Sequence, residues 1–466
     1  MPALAFGLAA CGTGKEAFIE HGQIELYSPG YPGYNLSVYN PIQPEYEDNL
    51  QIEFKIPENN LYFRKSSEDQ FSSVITKRIQ ILKQNPDDSD SYRTVYNDIL
   101  EDTLITDSPD TNTPSGTYRH ISLYSLEPGK YRINTTVTDN STNKDFSREQ
   151  NIEIPDLRQK KLVMGQLRLL SLTGDYFRPE SGYHLEEGYD SLKSSIQLYI
   201  DGIEEQAEFN MRLLKFDYDA EPARLPFMHT PLQGSLQYRG IDYSEPDTLQ
   251  SVSREISQLE GVVEIEFELP PLDQGNYRLE VESSDLVDKD NDELIYRARD
   301  FAVMPEGFPY ITEIKEMAQA LIYITRAREF DQIVTAENPD TLRKNFEAFF
   351  VGLYQNRNMA KNMIRRYFSR VEEANLMFSN HKPGWKTDPG MIYILYGPPD
   401  HQERSIDGMV WYYTRDRGMN AGTFIFERSR STGRAYPGNN YILQRSRYYD
   451  RDYQYILDRW RRGQVF

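Results

Sequence analysis

The chain has 466 residues, of which 38% are hydrophobic and 13% aromatic, which is enough material for several apolar cores. The formal net charge of −20 argues against a nucleic-acid-binding role for the whole molecule, because phosphate backbones attract cationic proteins. The charge is uneven, since residues 381–466 carry 14 Lys or Arg against 9 Asp or Glu. This basic end predicts a solvated or self-paired face, or alternatively a surface that docks onto acidic groups.

The only cysteine, Cys11, follows a short apolar run that ends in Ala9 and Ala10. This pattern resembles a bacterial lipobox, in which a signal peptide, here residues 1–11, is removed and the cysteine is acylated. The resemblance implies a lipoprotein of the bacterial cell envelope, held in the membrane by a covalent lipid on Cys11. The alternative is a short apolar N-terminus with a buried or free thiol, since no Lys or Arg precedes the apolar run.

Residues 12–48 are rich in Gly, Pro, Tyr and Asn, and we interpret them as a tether. Over residues 50–56 the pattern changes, because apolar residues alternate with polar ones as in a half-buried strand. Similar runs follow at 74–82, 121–126, 131–137 and 152–154. Short strands with turn signals between them predict an antiparallel immunoglobulin-like β-sandwich over residues 49–156.

An internal repeat predicts a second sandwich of the same kind over residues 160–304. Residues 126–133 match residues 272–279 at an offset of 146, and both copies place a glycine two residues before a tyrosine. The pattern is typical of a turn that leads into a strand. We expect Tyr131 and Tyr277 to pack in the two cores, with a corner hydrogen bond from the hydroxyl as the alternative.

Two long insertions, at 175–190 and 217–250, interrupt the second predicted sandwich. Long loops on a rigid scaffold often carry binding sites, so they are candidates for glycan or peptide binding. The alternative is that they cover sheet edges.

A further turn clusters the carboxylates of Asp285, Asp288, Asp290 and Asp292. It lacks the glycine and the residue spacing of an EF-hand, so weak Ca²⁺ binding is only an alternative to a solvated turn. No other cofactor is expected.

From residue 305 the apolar pattern becomes helical, which predicts helices over 311–336, from Asn338 onwards, and over 360–379. Strands are then predicted at 391–396, 409–413 and 423–426, and a last helix at 450–462. Helices followed by a small antiparallel sheet indicate an α+β domain over residues 305–466.

This last domain contains a recognisable set of motifs. They are Gly384-Trp385-Lys386-Thr387-Asp388, Gly390, Gly397-Pro398-Pro399-Asp400 and Trp411. In this order they resemble the GWxTD-domain family of bacterial envelope proteins, over about residues 310–466. The resemblance implies an envelope lipoprotein with β-sandwich modules before the domain, and it implies no established activity.

Physical chemistry favours a structural role for these motifs. Trp385 is expected to fill the corner between helices and sheet, and Thr387 and Asp388 to cap the Pro389-Gly390 turn. Pro398 and Pro399 stiffen the next turn, which Asp400 closes.

The catalytic alternative places Asp388 and Asp400 in one cleft, with His381 and His401 nearby, as acid–base groups or metal ligands. Joint action of the two carboxylates requires a separation below roughly 10 Å. None of the spacings that identify zinc proteases, serine hydrolases or nucleotide-binding loops is present in the sequence.

These patterns together favour a non-enzymatic, membrane-anchored lipoprotein that acts as a docking subunit of an envelope or cell-surface assembly. Its partners would be other envelope or outer-membrane proteins, with no nucleic acid. The arginines and aromatics of residues 445–462 predict stacking within the domain, or anchors of an interface. The alternatives are an envelope hydrolase or metal-dependent enzyme using Asp388 and Asp400, and a glycan- or peptide-binding surface lipoprotein.

Overall fold

Three large apolar cores and one smaller cluster organise the described residues, with two of the large cores between β-sheets and the third among the C-terminal helices and their sheet. The computed structural model describes residues 18–21, 31–66, 70–107, 116–160, 162–185, 188–201, 207–228, 240–256, 261–283, 295–336, 338–405, 408–413, 422–428 and 440–465. Within these residues, a β-rich N-terminal part is followed by a helical part and a small antiparallel sheet, which confirms the predicted fold class.

The first sandwich is built mainly from residues that alternate between core and solvent. The first strands are β1 (Ile19–His21), β2 (Asn35–Tyr39), β3 (Leu50–Pro57), β4 (Arg64–Lys65), β5 (Phe71–Asn85), β6 (Asp88–Thr106), β7 (Thr117–Tyr124), β8 (Gly129–Asp139) and β9 (Lys144–Ile154). One antiparallel sheet has the order β2-β3-β7, and the other has β6-β5-β8-β9, with β4 paired to the start of β5. Ile75, Ile79 and Ile133 are fully buried between the sheets, as the period-two pattern predicts.

The second sandwich repeats this architecture. Its strands are β10 (Leu162–Thr173), β11 (Tyr176–Glu180), β12 (Ser191–Ile200), β13 (Ala207–Tyr218), β14 (Ile241–Ile256), β15 (Gly261–Leu269), β16 (Gly275–Ser283) and β17 (Tyr296–Val303). The sheets have the orders β1-β17-β16-β13-β14 and β11-β10-β12-β15.

The tether predicted over residues 12–48 is too long. Within it, β1 pairs in parallel with β17 of the second sandwich, and β2 pairs antiparallel with β3 of the first. The Gly- and Pro-rich composition does not predict these short strands, because their stability comes from pairing with strands distant in the sequence rather than from local β-propensity.

The internal repeat forms the same corner in both sandwiches. The Tyr131 hydroxyl donates a hydrogen bond of 2.7 Å to the Glu127 carbonyl, and the Tyr277 hydroxyl one of 2.6 Å to the Asp273 carbonyl. Both rings are buried, so each tyrosine packs in its core and also makes the corner hydrogen bond.

The C-terminal part contains helices around one core and a four-stranded meander. Its elements are α1 (Ile314–Ala320), α2 (Ala327–Val334), α3 (Pro339–Tyr354), α4 (Arg357–Phe378), α5 (Asp388–Tyr396), β18 (His401–Arg404), β19 (Gly408–Tyr413), β20 (Gly422–Arg428), β21 (Tyr441–Leu443) and α6 (Tyr449–Arg461). The helix predicted over 311–336 is broken by a 3-10 turn at Leu321–Tyr323. Asn338 caps α3 as predicted, since its side chain accepts a hydrogen bond from the Asp340 amide.

The strand predicted at 391–396 is wrong, because these residues belong to α5. A short, continuously apolar run fits either a buried strand or a buried helix, and its flanks decide between them. Here Thr387 is the N-cap and Pro389 stands in the first turn, both of which favour a helix start. All residues of α5 are buried, so it has no polar face to reveal a helical period.

No helix among the described residues is long and apolar enough to cross a membrane.

Candidate functional site

The Gly384–Trp385 step lies against the C-terminal end of α4. A Cβ atom on Gly384 would lie 1.9 Å from the Ala374 carbonyl oxygen, so only glycine permits this approach. The Trp385 side chain is fully buried, and its indole N–H donates to Glu316 Oε1 at 2.9 Å. Its carbonyl accepts from the Tyr323 hydroxyl at 2.8 Å. Trp385 therefore ties α4 to the 3-10 turn after α1.

Thr387 and Gly390 form the first turn of α5. The Thr387 hydroxyl donates to the Gly384 carbonyl at 2.7 Å and accepts from the Gly390 amide at 3.2 Å. A Cβ atom on Gly390 would lie 1.9 Å from that same carbonyl oxygen. The capping role predicted for Thr387 is confirmed, and the two glycines permit the turn to close on itself.

Asp388 has a different partner from the one predicted. Its carboxylate receives both terminal nitrogens of Arg445, at 2.8 and 2.5 Å, and the Leu443 amide at 2.7 Å. Both side chains of the pair are more than nine-tenths buried. The Arg445 guanidinium also donates to the Arg224 carbonyl at 2.9 Å. Asp388 thus connects α5 to β21 and, through Arg445, to a segment of the second sandwich.

The opposite end of α5 is held by Arg370 of α4. This buried guanidinium donates to the Ile394 carbonyl at 3.1 Å and lies 5.2 Å from the centre of the Trp460 ring. The Trp460 indole donates to the Leu395 carbonyl at 3.0 Å. Burial lowers the pKa of Arg370 to about 10, which leaves it charged at neutral pH. A cation at the helix C-terminus compensates the carbonyl dipoles left open there.

Part of the insertion predicted at 217–250 enters the C-terminal domain. We call residues 219–228 the arm. Ala223 belongs to the buried core of the C-terminal domain, and the Phe227 ring lies 5.2 Å from Tyr453 of α6. The Pro226 carbonyl accepts from the Ser446 amide at 3.3 Å. The arm therefore completes the core of a domain that follows it in the chain.

The loop before Gly384 is in turn held by the second sandwich. The His381 carbonyl accepts from Asn276 at 3.0 Å, and the Asn380 carbonyl bonds to His184 Nε2 at 2.8 Å. Lys382 donates to the Asp219 carboxylate at 3.0 Å and to the Glu221 carbonyl at 2.7 Å. The second sandwich and the C-terminal domain thus contact each other at both the arm and this loop, and we call the two contacts together the joint.

The joint holds two imidazoles, of which His381 is buried and His184 is partly buried. Burial lowers the pKa of His184 to about 4, opposed by its bond to the Asn380 carbonyl. Burial and the neighbouring Lys382 charge hold the pKa of His381 well below its usual range. Both histidines are therefore neutral at physiological pH.

Asp388 and Asp400 do not share a cleft, contrary to the catalytic alternative. They lie at opposite ends of α5, whose nine residues span roughly 13 Å at about 1.5 Å per residue. Asp400 is exposed, and its amide donates to the Tyr412 carbonyl at 3.0 Å. His401 is exposed on β18, whereas His381 is buried in the joint. The pair predicted for acid–base chemistry is thus separated by the helix that it brackets.

The remaining motif residues are structural. Gly397 has a φ of +82° beside the Arg370 guanidinium, and its carbonyl accepts from the Tyr413 hydroxyl at 2.8 Å. Pro398 and Pro399 form the following turn, and Trp411 packs in the core between Phe378 and Phe426.

The other predicted sites are the lipidation site, the acidic turn and the first long insertion. Cys11 and the carboxylates Asp285, Asp288, Asp290 and Asp292 lie outside the described residues. Within the described part of the chain, no group of three His, Cys, Asp or Glu could hold a metal ion. The insertion at 175–190 supplies β11 and then His184 to the joint, so it is partly an edge cover.

The two arginines that hold the ends of α5 are not predicted from the sequence. The arginines of residues 445–462 are predicted to stack on aromatic rings, whereas Arg445 pairs with Asp388, and no local pattern marks Arg370 as a partner of α5. A buried aspartate such as Asp388 requires a cation or several hydrogen-bond donors, so its burial indicates a partner of the kind that Arg445 provides.

The fold and the joint define a protein of two tandem β-sandwiches with a C-terminal α+β domain. Residues 286–462 match the family model of the GWxTD domain. The match begins before the boundary predicted at 305 and takes in β17 of the second sandwich. No curated protein matches the chain.

Solved structures give only remote similarity. A Salmonella alpha-2-macroglobulin reacted with methylamine is 12% identical with a TM-score of 0.18, over 60% of this chain and 17% of that one. An Escherichia coli alpha-2-macroglobulin activated by porcine elastase is 12% identical with a TM-score of 0.16, over 61% and 22%. The chain spans less than a quarter of these proteins, and similarity at this level carries no argument about function.

Replacing Asp388 with Asn should destabilise the C-terminal domain by about 3–5 kcal/mol, because the buried Arg445 charge loses its counter-ion. The double variant Asp388→Leu/Arg445→Met should recover much of this loss. Urea unfolding followed by tryptophan fluorescence measures it, since the three tryptophans of the chain all lie in this domain. Asp400→Asn, on the surface, is the control and should change stability by less than about 0.5 kcal/mol. If Asp388→Asn also changed stability by less than about 0.5 kcal/mol, the ion pair would not be important for the stability of the domain.

Lowering the pH from 7 to 5 should weaken the joint. His184 has a folded pKa of about 4 against an ordinary value of 6.5, so below pH 6.5 protons bind preferentially to the unfolded chain. We expect this histidine alone to cost roughly 2 kcal/mol over that interval. The stability difference between wild type and His184→Gln, measured by urea unfolding at both pH values, should shrink by that amount. An unchanged difference would contradict the assignment.

Proposed function

We propose that the protein is a non-enzymatic lipoprotein of the bacterial envelope that serves as a structural docking subunit of a multi-protein assembly. The observation that carries this proposal is the set of contacts that the motif residue Asp388 makes. Asp388, the motif residue best suited to chemistry, has its carboxylate committed to Arg445 and Leu443, and through Arg445 it fixes the second sandwich to the GWxTD domain. A motif that holds domains in one arrangement supports a scaffold rather than an enzyme.

The arrangement of the domains also supports docking. Ala223 of the arm and the loop residues Asn380, His381 and Lys382 are buried in the joint, so the GWxTD domain is presented on a sandwich that cannot rotate freely beneath it. Presenting a surface at a fixed orientation lowers the entropic cost of binding a partner.

The docking surface that we favour is a groove along α4, with a volume of about 750 Å³. Its floor contains the buried Met363 and Val465, beside the exposed Met359, and Arg365 and Arg366 line it with exposed guanidinium groups. The groove is basic although the whole chain has a net charge of −20. Apolar floor and arginine rim together suit an envelope protein with an acidic surface and an apolar anchor residue.

Reversing two charges in the groove should abolish partner binding. We expect Arg365→Glu/Arg366→Glu to remove a specific cross-linked partner from pull-downs made with the membrane-bound protein under mild detergent. Arg343→Glu/Lys344→Glu, on the exposed face of α3, is the matched control and should retain that partner. Equal recovery from both variants would rule out the groove, and a protein that remains without partners would refute the docking role.

The membrane anchor is proposed from the lipobox-like residues before Cys11. Mass spectrometry of membrane fractions should find Cys11 acylated at the N-terminus of the mature chain, and Cys11→Ser should release the protein from the membrane. An unmodified thiol in a protein that stays in the aqueous fraction would contradict the anchor while leaving the groove open to its own test.

A further inference from the structure

A polar cleft of about 410 Å³ lies between the two sandwiches and shares no lining residue with the joint or the α4 groove. Its walls come from β2 and β9 of the first sandwich and from β10, β11 and β17 of the second. Both β2 and β9 are edge strands of their sheets. The volume falls within the range of sites that hold small molecules.

The two walls of the cleft are tied together. Gln166 lies at a bulge in β10, and its side chain accepts from the Asn40 amide at 3.2 Å. Gln197 of β12 accepts from the Ile42 amide at 2.9 Å. Side chains of the second sandwich therefore accept hydrogen bonds from backbone amides that follow β2. These bonds fix the width of the cleft before any ligand enters.

Carboxamides dominate the polar lining. They belong to Asn40, Gln51, Gln150, Asn151 and Gln166. Each amide carries both a donor and an acceptor, so it can bind a hydroxyl group in either orientation.

A buried arginine lines the cleft with an unused donor. Arg299 is 8% exposed, and its Nη2 donates to the carbonyls of Glu180 and Gly182. Its Nε has no hydrogen-bond partner among the described residues. Within the same part of the chain, Gln150 Oε1 and the Ser181 hydroxyl are buried without partners too. Buried polar atoms of this kind are rare unless a ligand or water completes them.

The cleft is lined by charged side chains of both signs. The Arg299 guanidinium faces the carboxylates of Glu20 and Glu180, and the Arg168 guanidinium lies 4.2 Å from the centre of the Tyr39 ring. Two arginines stand against three carboxylates, those of Glu20, Glu180 and the exposed Glu153, so the lining has no excess positive charge to attract an anion. The ligand that fits is neutral and rich in hydroxyl groups.

We propose that this cleft binds a neutral saccharide of one or two sugar units. Arg299 Nε and the carboxamides would bind its hydroxyl oxygens, and Gln150 Oε1 would accept from its hydroxyl hydrogens. The site is independent of the docking role, because it shares no residue with the joint or the α4 groove.

Titration calorimetry of the whole protein tests the site with glucose, galactose, mannose, N-acetylglucosamine, maltose and cellobiose as probes, and with inorganic phosphate as an anionic probe. We expect at least one sugar to bind. Gln150→Ala and Ser181→Ala should each weaken that sugar about tenfold, the effect of one lost hydrogen bond. The surface variant Gln454→Ala is the matched control and should bind as wild type does.

Each contrary result overturns the proposal. Absence of binding by every sugar in folded wild-type protein would do so, as would binding of phosphate alone. Sugar binding that survives both cleft variants would place the site elsewhere. Circular dichroism of each variant separates a lost site from a lost fold.

Discussion

The buried ion pair between Asp388 and Arg445 is the interaction on which the C-terminal half depends. Burying a charged group costs free energy unless its oxygens or N–H groups all form hydrogen bonds inside the protein. Here the carboxylate receives Arg445 and the Leu443 amide, and the guanidinium reaches onward to the Arg224 carbonyl. Because the pair needs all three segments, α5, β21 and the arm must assemble together.

This constraint gives the GWxTD motif a consistent physical role. Gly384 and Gly390 allow backbone contacts that a Cβ atom would block, Thr387 starts α5, and Asp388 fixes its first turn to a distant part of the chain. Arg370 holds the other end of the helix. The helix between them is buried on every side, and its directional bonds are concentrated at its two ends, with one more from the Tyr393 hydroxyl to Glu373 Oε2. The motif therefore encodes the position of one buried helix.

Sequence patterns predict features that depend on neighbours along the chain. The period-two strands, the repeated tyrosine turns and the Asn338 cap all depend on local spacing, and the structure agrees with them. Features that depend on distant partners are missed. The run 391–396 contains no period to distinguish helix from strand, and Asp388 meets a guanidinium 57 residues away. The arm was predicted as a binding loop or an edge cover, because nothing local indicates that its apolar residues enter another domain's core.

The central claim is that the arm is an integral part of the GWxTD domain, held through Arg445. Native-state hydrogen exchange read by mass spectrometry on the intact protein tests it most directly. We expect the peptide covering residues 440–448, which contains the Leu443 and Ser446 amides, to be protected as strongly as α5. Asp388→Asn should release that protection together with the arm while leaving the first sandwich unchanged. Rapid exchange of these amides in the wild-type protein, at the rate of exposed loops, would contradict the account.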